Sequence, residues 1–245
     1  IYAPTVNQQT RRHNSACQRH SRVRTSRFHK MDPMIRHLHV GNASFLDGEI
    51  KPEAEANAMD ILAAARETAG PSVEILIDAH GLYNVPTAIR LANKMAEWDI
   101  LWFEEPVPVE SWKALKQVKE QIKPLVSVGE RLDTRWEFLP IFENNLADYI
   151  MPDITWTGGV SELKKIATMA EAYYVPISPH DASGPINVLA GAHAMASVPN
   201  HYRVETHRAK LNAYDAFIDH PLDMRGDNIY LSDRPGLGIE LDKDY

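Results

Sequence analysis

The stretch Val73–Gly81, which reads Val-Glu-Ile-Leu-Ile-Asp-Ala-His-Gly, decides the fold of this chain. Residues 75–77 are all aliphatic, and such a short apolar run is typical of a strand that is buried on both faces of a parallel sheet. Asp78 and His80 follow at once, so they lie where that strand ends. In α/β barrels this carboxyl end of the strands carries the chemistry.

The same pattern of an apolar run that ends in a polar residue recurs five times downstream. The runs are Leu101–Phe103, Leu125–Val128, Asp148–Met151, Tyr174–Ile177 and Tyr202–Val204. The acids and histidine that follow them are Glu104, Glu130, Asp153, His180 and Glu205. Successive polar ends lie 23 to 27 residues apart, which suits a strand, a helix and two loops. The alternation predicts a TIM-type (β/α) barrel over residues 1–206 and a C-terminal extension over residues 207–245.

Composition and charge exclude several classes of protein. The chain has 245 residues, of which 44% are hydrophobic and 24% charged, as in ordinary globular domains. The net charge of −7 argues against nucleic acid as a partner. The single cysteine excludes an intrachain disulfide and fits a reducing compartment, so we expect a cytoplasmic protein. No run of about 18 apolar residues exists, so we expect no membrane partner.

The segment 7–29 does not resemble a barrel helix. It is rich in arginine and histidine, contains few large apolar residues and lacks a 3.6-residue period. We therefore expect it to be poorly ordered and solvated, with a nucleic-acid-binding arm as the alternative. The following residues, Lys30-Met31-Asp32, are expected to end a second barrel strand.

Three carboxylates end three consecutive predicted strands, namely Asp78, Glu104 and Glu130. At one mouth of a barrel they repel one another strongly, and a hard divalent cation removes that cost. Mg²⁺ prefers such oxygen ligands, so the pattern predicts a magnesium site. The alternative is that one or two of these acids cap helices or pair with Arg131 or Arg135.

The next two strands end in Asp153 and His180. A carboxylate on a neighbouring strand can hold an imidazole in one tautomer and raise its basicity, whereas the alternative is a histidine that is satisfied in the core. His80 lies two residues after Asp78, and a period of two places both on one face of an extended segment. We therefore expect His80 to overhang the metal.

These strand ends resemble a known family. Asp78 together with Glu104-Glu105-Pro106 and Gly129-Glu130-Arg131 resembles the metal site of the enolase superfamily, in its mandelate racemase-like branch. Pro152-Asp153 and His180 resemble the Asp–His dyad of that branch. The resemblance covers the chain from about residue 30 to the C-terminus. It implies that the family's N-terminal α+β capping domain is absent from this sequence.

A narrower resemblance points to one group of enzymes. Asp78-Ala79-His80 and Ser178-Pro179-His180 are similar to motifs of acid-sugar dehydratases of the galactonate dehydratase type, and Glu205 matches the last-strand glutamate of the branch. Lys30-Met31-Asp32 stands where racemases of the family carry a Lys-x-Lys pair, which disfavours a two-base racemase.

The resemblance implies the Mg²⁺-dependent dehydration of a sugar acid through a metal-stabilised enediolate, which gives a 2-keto-3-deoxy product. His180, oriented by Asp153, would remove the α-proton, and His80 would protonate the departing hydroxyl. Glu205, if protonated, would hydrogen-bond a carboxylate oxygen of the substrate, and Lys30 would contact the substrate carboxylate. The alternatives are a racemase, epimerase or cycloisomerase of the same superfamily, or an inactive barrel that only binds metal. We also expect a homo-oligomer.

Overall fold

The computed structural model of the chain describes residues 22–24, 28–34, 50–206 and 211–243. The strands are β1 (Arg22–Arg24), β2 (Phe28–Met31), β3 (Glu74–Asp78), β4 (Ile100–Glu104), β5 (Leu125–Val128), β6 (Tyr149–Ile150), β7 (Met224–Arg225) and β8 (Asn228–Tyr230). The helices are α1 (Pro52–Ala69), α2 (Val85–Met95), α3 (Trp112–Lys119), α4 (Arg135–Glu143), α5 (Val160–Ala172), α6 (Pro185–Met195) and α7 (Leu211–Asp215). The predicted alternation of strand and helix is thus present from β2 to α5, whereas no strand forms at the predicted runs Tyr174–Ile177 and Tyr202–Val204. No helix in the described ranges is long and apolar enough to cross a membrane.

The central sheet is parallel, and its strand order follows the sequence from β2 to β6. Its register places Asp78 beside Glu104, so the two polar ends are neighbours. Isolated parallel bridges from Ile150 to Ile177 and from Ile177 to His201 continue the sheet. Lys30 Nζ on β2 lies 3.1 Å from Glu205 Oε1. This distance shows that β2 and the segment from His201 to Glu205 end at the same mouth of the barrel.

The inside of the barrel is filled by large side chains rather than left as a pore. Leu76, Trp102 and Met151 form a buried cluster that also includes the rings of Tyr149 and Tyr202. The ring centroids of Trp102 and Tyr149 are 4.9 Å apart. Burying each such side chain contributes about 1.5–3 kcal/mol, so this filling helps to hold the strand ends in place.

The predicted strand at Tyr174–Ile177 does not form. Only Ile177 bridges a neighbouring strand, and Pro176 interrupts the segment. Proline has no N–H to donate to a ladder, although the Pro176 carbonyl still accepts a hydrogen bond from Ile150 N at 3.1 Å. Single bridges therefore replace a continuous strand on this side of the barrel.

The basic segment differs in part from the expectation of poor order. Arg22–Arg24 forms β1, which pairs in antiparallel fashion with β8 of the C-terminal extension. Val23 and its partner Ile229 are fully buried, so this pairing has its own apolar contact. The last two residues of the segment belong to β2. Residues 7–21 and 25–27 lie outside the described part of the chain.

Candidate active site

The site lies at the carboxyl ends of the barrel strands, where eight predicted side chains meet. They are Lys30, Asp78, His80, Glu104, Glu130, Asp153, His180 and Glu205. Every one contacts another member of the set through an ion pair or a hydrogen bond. The parallel strands bring them together from positions as far apart as Lys30 and Glu205.

Three carboxylates form the centre of the site. Oxygen atoms of Asp78, Glu104 and Glu130 lie within 4.8 Å of one another, and all three residues are buried. Asp78 and Glu104 are the last residues of adjacent strands in register, which accounts for their proximity. Sequence analysis predicted this grouping from the strand ends.

Glu130 reaches the centre because of the residue before it. Gly129 has a φ of +136°, and a Cβ there would lie only 2.9 Å from a ring carbon of Phe138. Its N–H donates a 2.8 Å hydrogen bond to Oε1 of Glu105, whose other oxygen lies 3.4 Å from Arg131. Burial raises the pKa of Glu105 to about 7, an effect that the Gly129 N–H opposes. The glycine therefore lets the chain turn so that Glu130 faces inward.

Lys30 supplies positive charge to the centre. Its Nζ lies 2.6 Å from Glu104 Oε1, 3.1 Å from Asp78 Oδ2 and 3.1 Å from Glu205 Oε1. Burial opposes the charged form of Lys30, but the carboxylates around it raise its pKa well above the usual value. Burial raises the pKa of Glu104 well above its usual value, an effect that Lys30 opposes and the other acids reinforce. Carboxylates of four residues, Asp78, Glu104, Glu130 and Glu205, therefore lie within 4 Å of a single ammonium.

The three carboxylates fit a hard divalent cation. The donor set consists only of oxygen atoms, which Mg²⁺ and Ca²⁺ prefer. Glu130 Oε1 pairs with Arg131 at 2.7 Å, whereas Glu130 Oε2 is buried, accepts no hydrogen bond from the described residues and has only longer contacts, with His180 Nε2 at 3.4 Å and Lys30 Nζ at 3.9 Å. A buried carboxylate oxygen without a donor is costly, and a cation removes that cost. The alternative of pairing with Arg131 thus applies to only one oxygen of one acid.

Asp153 and His180 form the predicted dyad. His180 Nδ1 lies 2.8 Å from Asp153 Oδ2. Because the carboxylate can only accept, Nδ1 carries the proton. His180 Nε2 then faces the mouth, 3.4 Å from Glu130 Oε2. Although burial opposes the charged form, Asp153, Glu205 and Glu130 together raise the pKa of His180.

The other oxygen of Asp153 is held from a helix and a loop. Asp153 Oδ1 accepts hydrogen bonds from Asn187 Nδ2 at 2.8 Å, Thr155 N at 2.8 Å and Thr155 Oγ1 at 2.5 Å. Asn187 lies on α6 and is buried. With both oxygens satisfied, the Asp153 carboxylate is fixed in one orientation, and it fixes the His180 ring in turn.

His80 forms a second histidine–carboxylate pair, with Asp32. His80 Nδ1 lies 2.9 Å from Asp32 Oδ2, and His80 Nε2 lies 3.4 Å from Asp78 Oδ2. The hydrogen bond to Asp32 is the main cause of the raised pKa of His80. The reason given for its placement was wrong, because His80 is not extended. Its φ is +53°, and its N–H donates to Asp78 Oδ1 at 2.9 Å in a tight turn.

Glu205 is the remaining acid of the site. Its Oε1 contacts Lys30, and its Oε2 accepts a 3.3 Å hydrogen bond from the backbone N–H of Asp181. Asp181 in turn accepts a 3.2 Å hydrogen bond from the Tyr214 hydroxyl. Because Tyr214 belongs to the C-terminal extension, that extension supports the loop beside the site.

Sequence analysis missed two side chains that orient the histidines, Asp32 and Asn187. Asp32 was considered only as a substitute for a lysine, and nothing singled out Asn187. Each contacts its partner across a long separation, 48 residues for Asp32 and 34 for Asn187. Strand spacing carries no signal for such pairs, although an acid one residue beyond β2 does lie at the mouth.

Comparison with known proteins agrees with this geometry. The family model described as enolase C-terminal domain-like matches residues 32–245. Among curated relatives, the D-xylonate dehydratase of Haloferax volcanii is 29% identical over 216 residues, which are 88% of this chain and 50% of that protein. The D-galactarolactone cycloisomerase of Agrobacterium fabrum is 33% identical over 192 residues, which are 75% of this chain and 51% of that protein. The chain thus spans about half the length of these relatives.

Solved structures show the same architecture. A mandelate racemase/muconate lactonizing enzyme-like protein from Rubrobacter xylanophilus superposes with a TM-score of 0.79 at 34% identity, over 95% of this chain and 58% of that one. Family, fold and the clustered strand ends all agree. The chain therefore belongs to the enolase superfamily, in its mandelate racemase-like branch, and it contains that family's C-terminal barrel domain.

Proposed function

We propose that this chain carries the catalytic barrel of a Mg²⁺-dependent acid-sugar dehydratase. One observation carries the proposal. Two imidazole Nε2 atoms, those of His80 and His180, lie on two sides of one carboxylate cluster, each 3.4 Å from one of its oxygens. Dehydration needs one group to take a proton and another to give one, and this arrangement supplies both.

The cation site is the first element of the mechanism. Asp78, Glu104 and Glu130 would hold Mg²⁺ through their oxygen atoms. When bound, the ion would stabilise the negative charge that develops on the substrate carboxylate as the α-proton leaves. A proton next to a carboxylate is otherwise far too weakly acidic to be removed at neutral pH.

His180 would act as the base. With Nδ1 donating to Asp153, the lone pair of Nε2 points into the mouth and can accept the α-proton. The resulting imidazolium has Asp153 against Nδ1 and acidic groups near Nε2, all of which stabilise positive charge. Asn187 keeps Asp153 oriented during this transfer.

His80 would act as the acid. Its side chain is partly exposed, so it can take up a proton from solvent before the reaction. The proton on Nε2 passes to the departing β-hydroxyl, the C–O bond breaks, and water leaves. Lys30, which contacts Glu205 at the centre of the mouth, would bind the substrate carboxylate, and Glu205 in its protonated form would donate a hydrogen bond to it.

The test is a screen of acid sugars with the full-length protein and Mg²⁺, in which 2-keto acid formation is measured. We expect turnover of at least one aldonic acid, and His180→Asn should abolish both dehydration and exchange of the α-proton with solvent deuterium. His80→Asn should lose dehydration by about 10²–10⁴-fold but keep exchange. Equal loss of exchange in both variants would contradict these roles.

Two other functions give different results in the same experiment. A racemase or cycloisomerase would invert or cyclise its substrate without releasing water, and His80→Asn would leave that activity largely intact. The similarity to a cycloisomerase is the reason to test this alternative. Mg²⁺ binding without turnover of any acid would indicate an inactive metal-binding barrel.

A further inference from the structure

Asp32 is a buried carboxylate at the mouth that the mechanism above does not use. It lies one residue beyond β2, and its side chain is only 3% exposed. Its Oδ1 accepts a 2.8 Å hydrogen bond from Met34 N, and its Oδ2 lies 2.9 Å from His80 Nδ1. Both oxygens are therefore engaged, so the carboxylate has one fixed orientation.

His80 is held at two points. Its N–H is bound to Asp78 Oδ1, which fixes the tight turn, and its ring is bound to Asp32 through Nδ1. A carboxylate can only accept, so Nδ1 keeps its proton and Nε2 is directed at the cluster. The pair repeats the geometry of Asp153 and His180, in which the Nδ1–oxygen distance is 2.8 Å.

We propose that Asp32 is a positioning residue that holds His80 in the orientation required of the acid in the dehydration. The proposal rests on the proposed function. In the step itself, the proton on His80 Nε2 moves to the oxygen of the departing hydroxyl and the C–O bond breaks. Water leaves, and His80 becomes neutral. The hydrogen bond to Asp32 keeps a proton on His80 Nδ1 both before and after the C–O bond breaks. Only the Nε2 proton can therefore be transferred.

A double-mutant cycle tests this coupling. Asp32→Asn should lower kcat for dehydration by at least about 10–100-fold, the loss typical of residues that orient a group at a metal site, with little change in KM. Exchange of the α-proton, which needs His180, should be nearly unaffected. His80→Asn should lower dehydration further, and adding Asp32→Asn to it should cause no additional loss, since the two residues act as one unit. Asp32 and His80 would act independently if the two losses multiplied in the double variant, and the proposal would then be wrong.

The matched control is Asp148→Asn. Asp148 also accepts a backbone N–H, from Val126 at 2.8 Å, and pairs with a base, Lys119 at 2.6 Å, but it lies before β6 rather than at the mouth. This variant should leave the ratio of dehydration to exchange unchanged, because Asp148 does not contact His80. A parallel fall of dehydration and exchange in Asp32→Asn, as in a general loss of folding, would overturn the proposal.

A measurement independent of turnover separates this proposal from the proposed function. Long-range ¹H–¹⁵N correlation of the histidine rings reports which nitrogen of neutral His80 carries the proton. We expect the Nδ1–H form in the wild type and a shift towards Nε2–H in Asp32→Ala. An Nε2–H form in the wild type would refute the role of Asp32 even if dehydration is observed. Absence of dehydration with the Nδ1–H form intact would instead refute the proposed function alone.

Discussion

Lys30→Met tests the electrostatics of the site directly. The substitution keeps an unbranched side chain but removes the ammonium that lies 2.6 Å from Glu104 and 3.1 Å from both Asp78 and Glu205. These carboxylates are buried, so water cannot replace the lost charge. We therefore expect the metal-free variant to be less stable than the wild type.

The magnitude follows from the distances. Two unit charges about 3 Å apart attract by about 5 kcal/mol at an effective dielectric constant of about 20. Lys30 makes three such contacts, but the repulsion among the acids and the cost of burying its ammonium offset much of their sum. Removal of one partner from a buried ion pair typically costs about 3–5 kcal/mol. For a chain of this size that lowers Tm by about 10 °C.

Thermal unfolding with and without Mg²⁺ is the assay. Mg²⁺ should raise the Tm of Lys30→Met more than that of the wild type, because the ion supplies the charge that the variant lacks. The deficit should be larger at pH 8 than at pH 5, because burial raises the pKa of Glu104 well above its usual value and its protonation at lower pH relieves part of the repulsion. Lys119→Met is the control, because Lys119 pairs with a single carboxylate, Asp148, at 2.6 Å. Lys119→Met should lower Tm by less than Lys30→Met, and Mg²⁺ should not change the difference in Tm between Lys119→Met and the wild type.

Two outcomes would refute this reasoning. A metal-free Lys30→Met variant as stable as the wild type would show that the ammonium does not offset the repulsion of the acids. The absence of any rise in Tm with Mg²⁺, in the wild type and in both variants, would show that the carboxylate cluster does not bind the ion.

Two further predictions concern neighbours of the site. Asn187→Ala removes one of the donors to Asp153 Oδ1, so α-proton exchange should fall by about 10-fold with Mg²⁺ affinity unchanged, as measured by deuterium incorporation and calorimetric titration. Glu105→Gln should change the pH dependence of unfolding. Burial raises the pKa of Glu105 to about 7, so its contribution to stability is complete below about pH 4.5 and is lost as the pH rises towards 7. In the wild type, this group should lower the free energy of unfolding by up to about 3 kcal/mol across that pH range, and denaturant unfolding of the variant should lack this fall. An equal fall in the variant would contradict the assignment.

The strand ends were predictable because they follow one simple rule. A run of three or four mostly apolar residues forms a buried parallel strand, and the register of a parallel sheet then places the next residue at a common edge. Asp78 and Glu104 are the clearest case, since they are the last residues of adjacent strands and are paired in register. The rule needs only local sequence, and this is why it succeeded without knowledge of any contact.

The same rule failed where the backbone leaves the extended conformation. His80 was placed beside Asp78 by a two-residue period, yet it reaches that position through a left-handed turn, a conformation in which histidine is more common than most residues. At Tyr174–Ile177 only Ile177 is buried, because Tyr174 is exposed in a left-handed conformation and Pro176 cannot donate to a ladder. Periodicity reports which face a residue occupies only while the chain remains regular.

The orienting residues were beyond the reach of any local rule. Asp32 and Asn187 come from a strand end and a helix face that the barrel brings to His80 and Asp153. Their role depends on which atom of the histidine or carboxylate remains unsatisfied, and that is known only once the fold is formed. In this site the residues that would exchange protons follow from strand positions, whereas the residues that fix their tautomers follow from tertiary contacts. Substitution of the second group, with the first intact, is therefore the sharper test of the proposed mechanism.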